Sequence, residues 1–339
     1  MSTQTHFALV PTVLLLGTGN PELDAPALAA LADEALLVAV HTTAPAQPLP
    51  FLEDQLTVAD EPAAVLAAGR ELARRHRVAG VVALQARFAE AAAELADELG
   101  LAGPDPEAVR SGRDRWQTRL RLNGAGVGPV PARLAADPAQ AEQAAAELGL
   151  PVLLRSRDAA LATGAQRVDR PEQLAAAFRR AGLGGEVVVE PLLDGELLTL
   201  RGALSLGEAQ TWLAVHRPSA QPLDPEDELF AELAEFAGHA YAALGLDHGL
   251  TGLDVLLTDE GPRVVLADQL GGADLLGADL LGADLLGADL PNGGLPNGGL
   301  PQAARSAAGL AGAVIDLAVG LPPRPPLGLP AADRELAYR

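Results

Sequence analysis

The sequence predicts a mixed α/β and α+β protein, with a small doubly wound domain at the N-terminus followed by two lobes of helices on strands. Three observations lead there. Residues 12–99 carry short, wholly apolar runs alternating with Ala/Leu-rich helical patterns, a β-α-β-α rhythm. From residue 138 on, helical patterns alternate with strands that return on themselves, which points to antiparallel pairing. The chain's 339 residues, 49% of them hydrophobic, can bury roughly two to three separate cores.

Taken in order, Thr12–Leu16 is a buried parallel strand closed by Gly17-Thr18-Gly19-Asn20, with a helix expected at Pro26–Glu34. A second strand spans Ala35–His41. A helix at Glu61–Arg77 ends on Arg74, Arg75 and Arg77, where cations suit the helix dipole. Strand Gly80–Leu84 and helix Phe88–Leu99 complete the first domain, and Gly103-Pro104-Asp105-Pro106 marks its end. We divide the chain at residues 1–104, 105–200 and 201–339.

An arginine-rich helix is expected at Glu107–Asn123, then a helix at Pro138–Leu148, a strand at Val152–Leu154 ending on Arg155, and a helix at Pro171–Ala181. Strands follow at Glu186–Glu190, Leu197–Leu204 and Gln210–His216. The helix Glu226–Leu244 leads to a hairpin of Gly252–Leu257 and Arg263–Asp268, joined through Gly261-Pro262. Residues 271–301 are an internal repeat: Ala-Asp-Leu recurs at 273, 278, 283 and 288, and Pro-Asn-Gly-Gly-Leu occurs at 291–295 and 296–300. A five-residue period advances about 140° per unit on a helix, so its aspartates share no helical face, and four units are too few to stack a solenoid. We read it as a loop or helix expansion within the last lobe.

Composition excludes several chemistries. There is no cysteine and no lysine; all 24 basic residues are arginine. Disulfides, thiolate nucleophiles, Cys-held metals and Schiff bases are therefore absent. A formal net charge of −21 argues against nucleic acid as a partner. The apolar stretches Thr12–Leu16 and Ala307–Leu321 are too short for a membrane span, or are interrupted by Asp316. With no basic leader segment, a cytoplasmic location is expected. Twelve of the arginines lie between positions 110 and 180, a local basic region suited to an anionic ligand. The six histidines, at 6, 41, 76, 216, 239 and 248, show no metal-ligand spacing, and His248 is read as structural. Gly17-Thr-Gly19 is only a fragment of a dinucleotide fingerprint.

Four stretches, in order, carry a resemblance. They are Leu99-Gly-Leu-Ala-Gly-Pro-Asp-Pro-Glu-Ala-Val109 with Gly112-Arg-Asp-Arg115; Ala125-Gly-Val-Gly-Pro-Val-Pro131; Leu148-Gly-Leu-Pro-Val-Leu-Leu-Arg155; and Thr251-Gly-Leu-Asp254 with Thr258-Asp-Glu-Gly-Pro262, Leu266-Ala-Asp268 and Leu270-Gly-Gly272. Together they resemble the ATP-grasp superfamily, in particular its carboxylate–amine ligases, over roughly residues 12 to 320. The resemblance implies an N-terminal pre-ATP-grasp domain and a two-lobed ATP-grasp fold. It also implies ATP and Mg²⁺ as cofactors and small, amino-acid-like carboxylate and amine substrates, joined through an acyl phosphate. A homodimer is compatible with it.

On that resemblance, Arg115 and Arg155 stand where the family has phosphate-binding lysines, and Arg155 and Arg201 would act at the reacting centre. Glu190 with the Leu192–Leu193 backbone would hold adenine, Glu196 the ribose and Gly164 the phosphates, while Asp254 and Asp268 would hold Mg²⁺. The sequence also departs from the pattern. The glycine loop aligns with Asp158–Gly164, where Leu161 sits and only Gly164 remains, and Pro191 removes a backbone donor. Arg201 falls where a glutamate is common. Leu266 replaces a metal-binding glutamate, and Gln269 replaces an arginine. The leading expectation is thus an ATP- and Mg²⁺-dependent ligase. A catalytically degenerate binding scaffold is the alternative, and a repeat-mediated interaction protein is a third.

Overall fold

A computed structural model describes residues 10–18, 28–45, 49–159, 164–217, 219, 221–269 and 307–324. The 271–301 repeat, Leu161 and Leu270 lie outside the described residues. The N-terminal sheet is parallel, in the order β3-β2-β1-β4, built from β1 (Thr12–Thr18), β2 (Leu36–His41), β3 (Leu52–Thr57) and β4 (Gly80–Ala83). Residues 28–32 are helical, and α1 (Pro62–Arg75) and α2 (Ala89–Leu99) follow as expected. Strand β3 was not anticipated. Its half-exposed Leu-Glu-Asp-Gln-Leu-Thr pattern lacks the apolar run that marks a central strand, as suits the edge of a sheet.

Successive β1 side chains explain the layering. Leu14 and Leu16 join Val65, Leu72, Phe88 and Leu95 in one core, whereas Val13 and Leu15 enter another with Leu28, Leu31, Val314 and Ile315. The second core also holds Ala203, Leu213 and Val215, so it fuses the N-terminal sheet to the C-terminal lobe. The element between them is α8 (Ala307–Ala318), so the apolar stretch there forms a helix. Its interrupting charge is satisfied: Asp316 accepts from the backbone N and the Nε of Arg324, at 3.0 and 2.6 Å. Gly80 makes the approach possible, because a Cβ there would lie 2.3 Å from the Ala318 carbonyl oxygen.

The expected arginine-rich helix is two helices, α3 (Pro106–Gly112) and α4 (Arg115–Ala125). The chain breaks because Asp114 turns extended and caps α4, its carboxylate accepting from the N–H groups of Trp116 and Gln117. Both helices pack with α7 (Glu228–Leu244): Ala108 and Leu122 share a core with Leu233, Ala237 and Leu244.

A four-stranded antiparallel sheet, β5-β8-β6-β7, combines β5 (Arg133–Ala135), β6 (Val152–Ser156), β7 (Gln166–Val168) and β8 (Val187–Pro191). One face packs on α5 (Pro138–Leu148) and α6 (Leu174–Gly182). The three-residue strands β5 and β7 are too short to declare a period in sequence. The larger antiparallel sheet, β11-β10-β9-β12-β13, comprises β9 (Glu196–Ser205), β10 (Glu208–His216), β11 (Gln221–Pro222), β12 (Gly249–Thr258) and β13 (Gly261–Gln269). The division placed at 200/201 falls inside β9, all of which pairs within this sheet. Among the described residues, no helix is long and apolar enough to cross a membrane.

Candidate functional site

Alternation along β6 decides which side chains face the groove between the two antiparallel sheets. Val152 and Leu154 point into the α5–α6 core, so Arg155 points the other way. The register sets Leu153 opposite Glu190 and Arg155 opposite Val188, which puts Arg155 and Glu190 on that same outward face. From α4, Arg115 and Arg119 arrive on one helical stripe, being four residues apart.

These four side chains line one small cavity together with Val264, Val265, Leu266 and Ala267 of β13. Glu190 is gripped on both oxygens. Arg119 Nε donates to Oε1 over 2.7 Å, and Arg155 Nη2 donates to Oε2. The same guanidiniums reach the larger sheet: Arg119 Nη2 donates to Val264 O and Arg155 Nη1 to Val265 O, each at 3.0 Å. β13 is an edge strand and its pairing skips Val265, a bulge that leaves carbonyls available to an outside donor. Burial pushes the Glu190 carboxyl up, but Arg155 and Arg119 outweigh it and hold the group at about 2. Arg115 Nη1 donates to the carbonyls of Ser156 (2.9 Å) and Asp158 (3.1 Å), tying α4 to the end of β6.

The cavity wants an acceptor. Three guanidiniums face it against one carboxylate, and Nη1 of Arg119, a residue 5% exposed, is buried with no hydrogen-bond partner. This donor set fits the phosphates of a nucleotide. The open volume is about 20 Å³, room for a water molecule and no more.

The expected metal carboxylate lies on the larger sheet. Asp254, 4% exposed, sits between Thr199 on β9 and Leu266 on β13. Thr199 Oγ1 donates to its Oδ1 over 2.6 Å, and Arg217 Nη2 lies 3.3 Å from its Oδ2. Arg217 also donates from Nε to Thr199 Oγ1 (2.7 Å). Leu266 offers no oxygen. Asp268 pairs with Gly252 in the backbone register; its side chain lies outside the described residues. Among the described residues no group of three His, Asp or Glu side chains is placed to hold a metal. Among the described residues the donors at Asp254 do not fit Mg²⁺, which asks for near-octahedral oxygen ligands, because both Asp254 oxygens are engaged, one of them by a guanidinium.

The other expected residues are scattered. Leu192 donates its N–H to Pro151 O (3.0 Å), so that amide is committed within the backbone; Leu193 beside it is half-buried. Glu196 is exposed and lies 3.5 Å from His216 Nδ1. Arg201 is buried, donates to Leu200 O (3.1 Å), and pairs opposite Gly252, hence on the Thr199–Asp254 face. Gly164 is half-buried in coil at φ +66°. His248 is buried, and its Nε2 donates to Leu317 O over 2.9 Å at the end of α8. Much of the basic region is self-neutralised, with Arg110 paired to Glu90, Glu94 and Glu107, and Arg157 paired to Asp114 and Glu186. Sequence reading missed Arg119 and Arg217. The i, i+4 spacing from Arg115 was a usable signal for the first; nothing local marks the second.

No family profile matches the chain. It is 29% identical over 212 residues to an uncharacterised protein of Sinorhizobium fredii, covering 57% of this chain, and spans 44% of that protein's length. Among solved structures it superposes on an L-amino acid ligase from Bacillus licheniformis with TM-score 0.65 and 18% identity, covering 78% of this chain and 68% of that one. An N5-carboxyaminoimidazole ribonucleotide synthetase in its ADP complex gives TM-score 0.67 and 14% identity, over 94% of this chain and 80% of that one. The fold is therefore the ATP-grasp fold that the sequence resemblance implies.

Proposed function

We propose that this chain binds ATP in the groove between its two antiparallel sheets and acts as a carboxylate–amine ligase. One observation carries the reading: Arg115, Arg119, Arg155 and Glu190 converge on a single cavity at the junction of the sheets, with a buried guanidinium N–H left unsatisfied. The ATP-grasp fold shared with ligases and synthetases supports the general kind.

In this reading Arg115 and Arg155 receive phosphate oxygens, and their fork geometry grips them bidentately. Arg155 then exchanges its Glu190 contact for phosphate, while Arg119 keeps the carboxylate neutralised. Gly164 takes part in holding the phosphates, and Leu193 and Glu196 line the base and ribose end. A carboxylate oxygen of the first substrate attacks the γ-phosphorus, the bond to the β,γ-bridging oxygen breaks, and ADP leaves. The amine nitrogen attacks the acyl carbon of the resulting acyl phosphate; inorganic phosphate departs, the nitrogen loses a proton, and an amide remains. Arg201 faces the groove side of the larger sheet and steadies the charge that builds up there. Substrates are small amino-acid-like carboxylates and amines, free in the cytoplasm. No step is routed through a metal at Asp254, where the residues do not fit one.

ADP release, followed with mixtures of amino acids, tests the reading. ATP-dependent turnover with amide formation supports it; no turnover and no ATP-induced rise in melting temperature sink it.

A second reading has its own observation. Asp254 is bound by Thr199 and Arg217, and Leu266 sits across from it. That arrangement favours a scaffold that binds an anionic ligand and transfers no phosphoryl group. ATP-induced stabilisation without ADP release would support it, and turnover abolished by Asp254→Ala would end it.

A further inference from the structure

We infer that Arg217 stands in for the divalent cation at Asp254, so that the sheet side of the ATP-grasp groove carries a built-in, metal-free positive charge. The location rests on the ligase reading above; the substitution itself rests on the geometry alone.

Both carboxylate oxygens of Asp254 are already served, Oδ1 by the Thr199 hydroxyl at 2.6 Å and Oδ2 by Arg217 Nη2 at 3.3 Å. Arg217 is tethered a second time, donating from Nε to Thr199 Oγ1 over 2.7 Å. Thr199 thus bridges acid and base, and the three side chains form a closed ring across β9, β12 and the end of β10. The Arg217 and Asp254 side chains are each 5% exposed, so neither is a mobile surface group that steps aside at little cost. A guanidinium cannot be deprotonated at working pH, and a divalent ion seated on the same carboxylate would lie against a fixed like charge in a low-dielectric site. The facing position, where a second oxygen ligand would be needed, is Leu266. Mg²⁺ is held by oxygen ligands, and among the described residues Arg217 and Thr199 leave neither oxygen of Asp254 free to act as one. The guanidinium instead supplies one positive charge, permanently, at the position where the resemblance places the ion.

Two consequences are measurable. The full chain without nucleotide takes up no stoichiometric Mn²⁺ through Asp254, and Arg217→Gln creates a Mn²⁺ site by releasing that carboxylate. Mn²⁺ titration monitored by the paramagnetic signal of the free ion, on wild type, D254N, R217Q and R217Q/D254N, reads both. The expected result is no Asp254-dependent binding in wild type, a site in R217Q with affinity better than about 1 mM, and its loss in the double variant. A Mn²⁺ site in wild type that D254N removes overturns the inference. So does an R217Q protein that melts cooperatively yet binds nothing, since Asp254 would then be no cation position. If R217Q fails to fold, the comparison of wild type with D254N still decides. A separate arm measures the ATP-induced rise in melting temperature with Mg²⁺ and with EDTA. Equal shifts support the inference, and a shift found only with Mg²⁺ and abolished by D254N overturns it. No shift in either condition defeats the ligase reading and leaves the Mn²⁺ result to decide the role of Arg217.

Discussion

Arg119 and Glu190 meet across 71 positions of sequence, Nε to Oε1 at 2.7 Å, and the pair is almost wholly buried. Because Arg155 holds the other oxygen and both arginines continue to carbonyls of β13, this one carboxylate clamps α4, β6 and β8 against the edge of the larger sheet. A buried acid between two guanidiniums is tolerable only while all partners remain, since each uncompensated charge costs several kcal/mol.

Glu190→Gln leaves two buried guanidiniums facing a neutral amide and is expected to destabilise the fold by about 3–5 kcal/mol. The pH dependence has a definite sign. The Glu190 carboxyl is depressed from its ordinary 4.5 to about 2 in the folded state. Its contribution is therefore fully present above about 4.5 and is lost as pH falls through that window towards 2, amounting to about 3 kcal/mol. Urea unfolding of wild type between about pH 6 and pH 3 should show this slope, and the Gln variant should lack it. Parallel slopes for the two proteins would refute the assignment.

Arg115→Met should weaken ATP binding by about ten- to a hundredfold, because a charged hydrogen bond to phosphate is worth about 1.5–3 kcal/mol. Arg115 is a cleaner probe than Arg155, whose removal also strips Glu190 of a partner. Its own structural duty is the tether to the Ser156 and Asp158 carbonyls. Arg115→Lys keeps a cation and should recover part of the affinity, which a melting-shift titration reads directly. Equal binding by Met and wild-type proteins would remove Arg115 from the phosphate site.

Arg155 was legible in the sequence because a charge at the end of an apolar strand must face away from the core, and β6 obeys that alternation. The hairpin carrying Asp254 was legible for the same reason. The clamp was not, since it depends on a bulge at Val265 that exposes two carbonyls, and nothing in the apolar run Val264-Val265-Leu266 announces one. Arg217 was equally silent, lying 37 positions from Asp254 and meeting it only through sheet register. The break at Arg113-Asp114 was missed for a different reason. Helical periodicity runs through it, and an aspartate inside such a run reads as a surface residue unless its capping role is weighed.

Gly17→Ala tests the packing of the N-terminal sheet independently of the groove. Gly17 has φ +72°, and an added Cβ would lie 1.9 Å from Phe88 Cδ2. Left-handed backbone costs about 1–2 kcal/mol and overpacking about 1–3 kcal/mol, so a loss of about 2–5 kcal/mol is expected. Adding Phe88→Leu should return part of it by relieving the clash. If the double variant is no better than the single, backbone strain rather than Phe88 sets the cost.

Asp114 joins two roles that substitution can separate. Its Oδ1 caps α4 through Trp116 N (2.9 Å) and Gln117 N (3.2 Å), while Oδ2 takes Arg157 Nη2 at 2.6 Å. Burial raises its carboxyl, but Arg157 and the two amides prevail and leave it below the ordinary 3.8. Its stabilisation is thus present above that value and fades as pH drops further. Asp114→Asn keeps a capping oxygen and gives up the charge. The ion pair is partly exposed, with side chains 35% and 22% accessible, so its loss should cost about 1 kcal/mol or less. Asp114→Ala gives up both and should cost about 1–2 kcal/mol more, the usual worth of a cap. The first turn of α4 holds Arg115, so the Ala variant should also weaken ATP binding while the Asn variant does not. Chemical denaturation and a nucleotide titration on the two variants check both halves. Equal losses would mean that the Arg157 pair, and not the cap, fixes the break between α3 and α4 and the aim of Arg115.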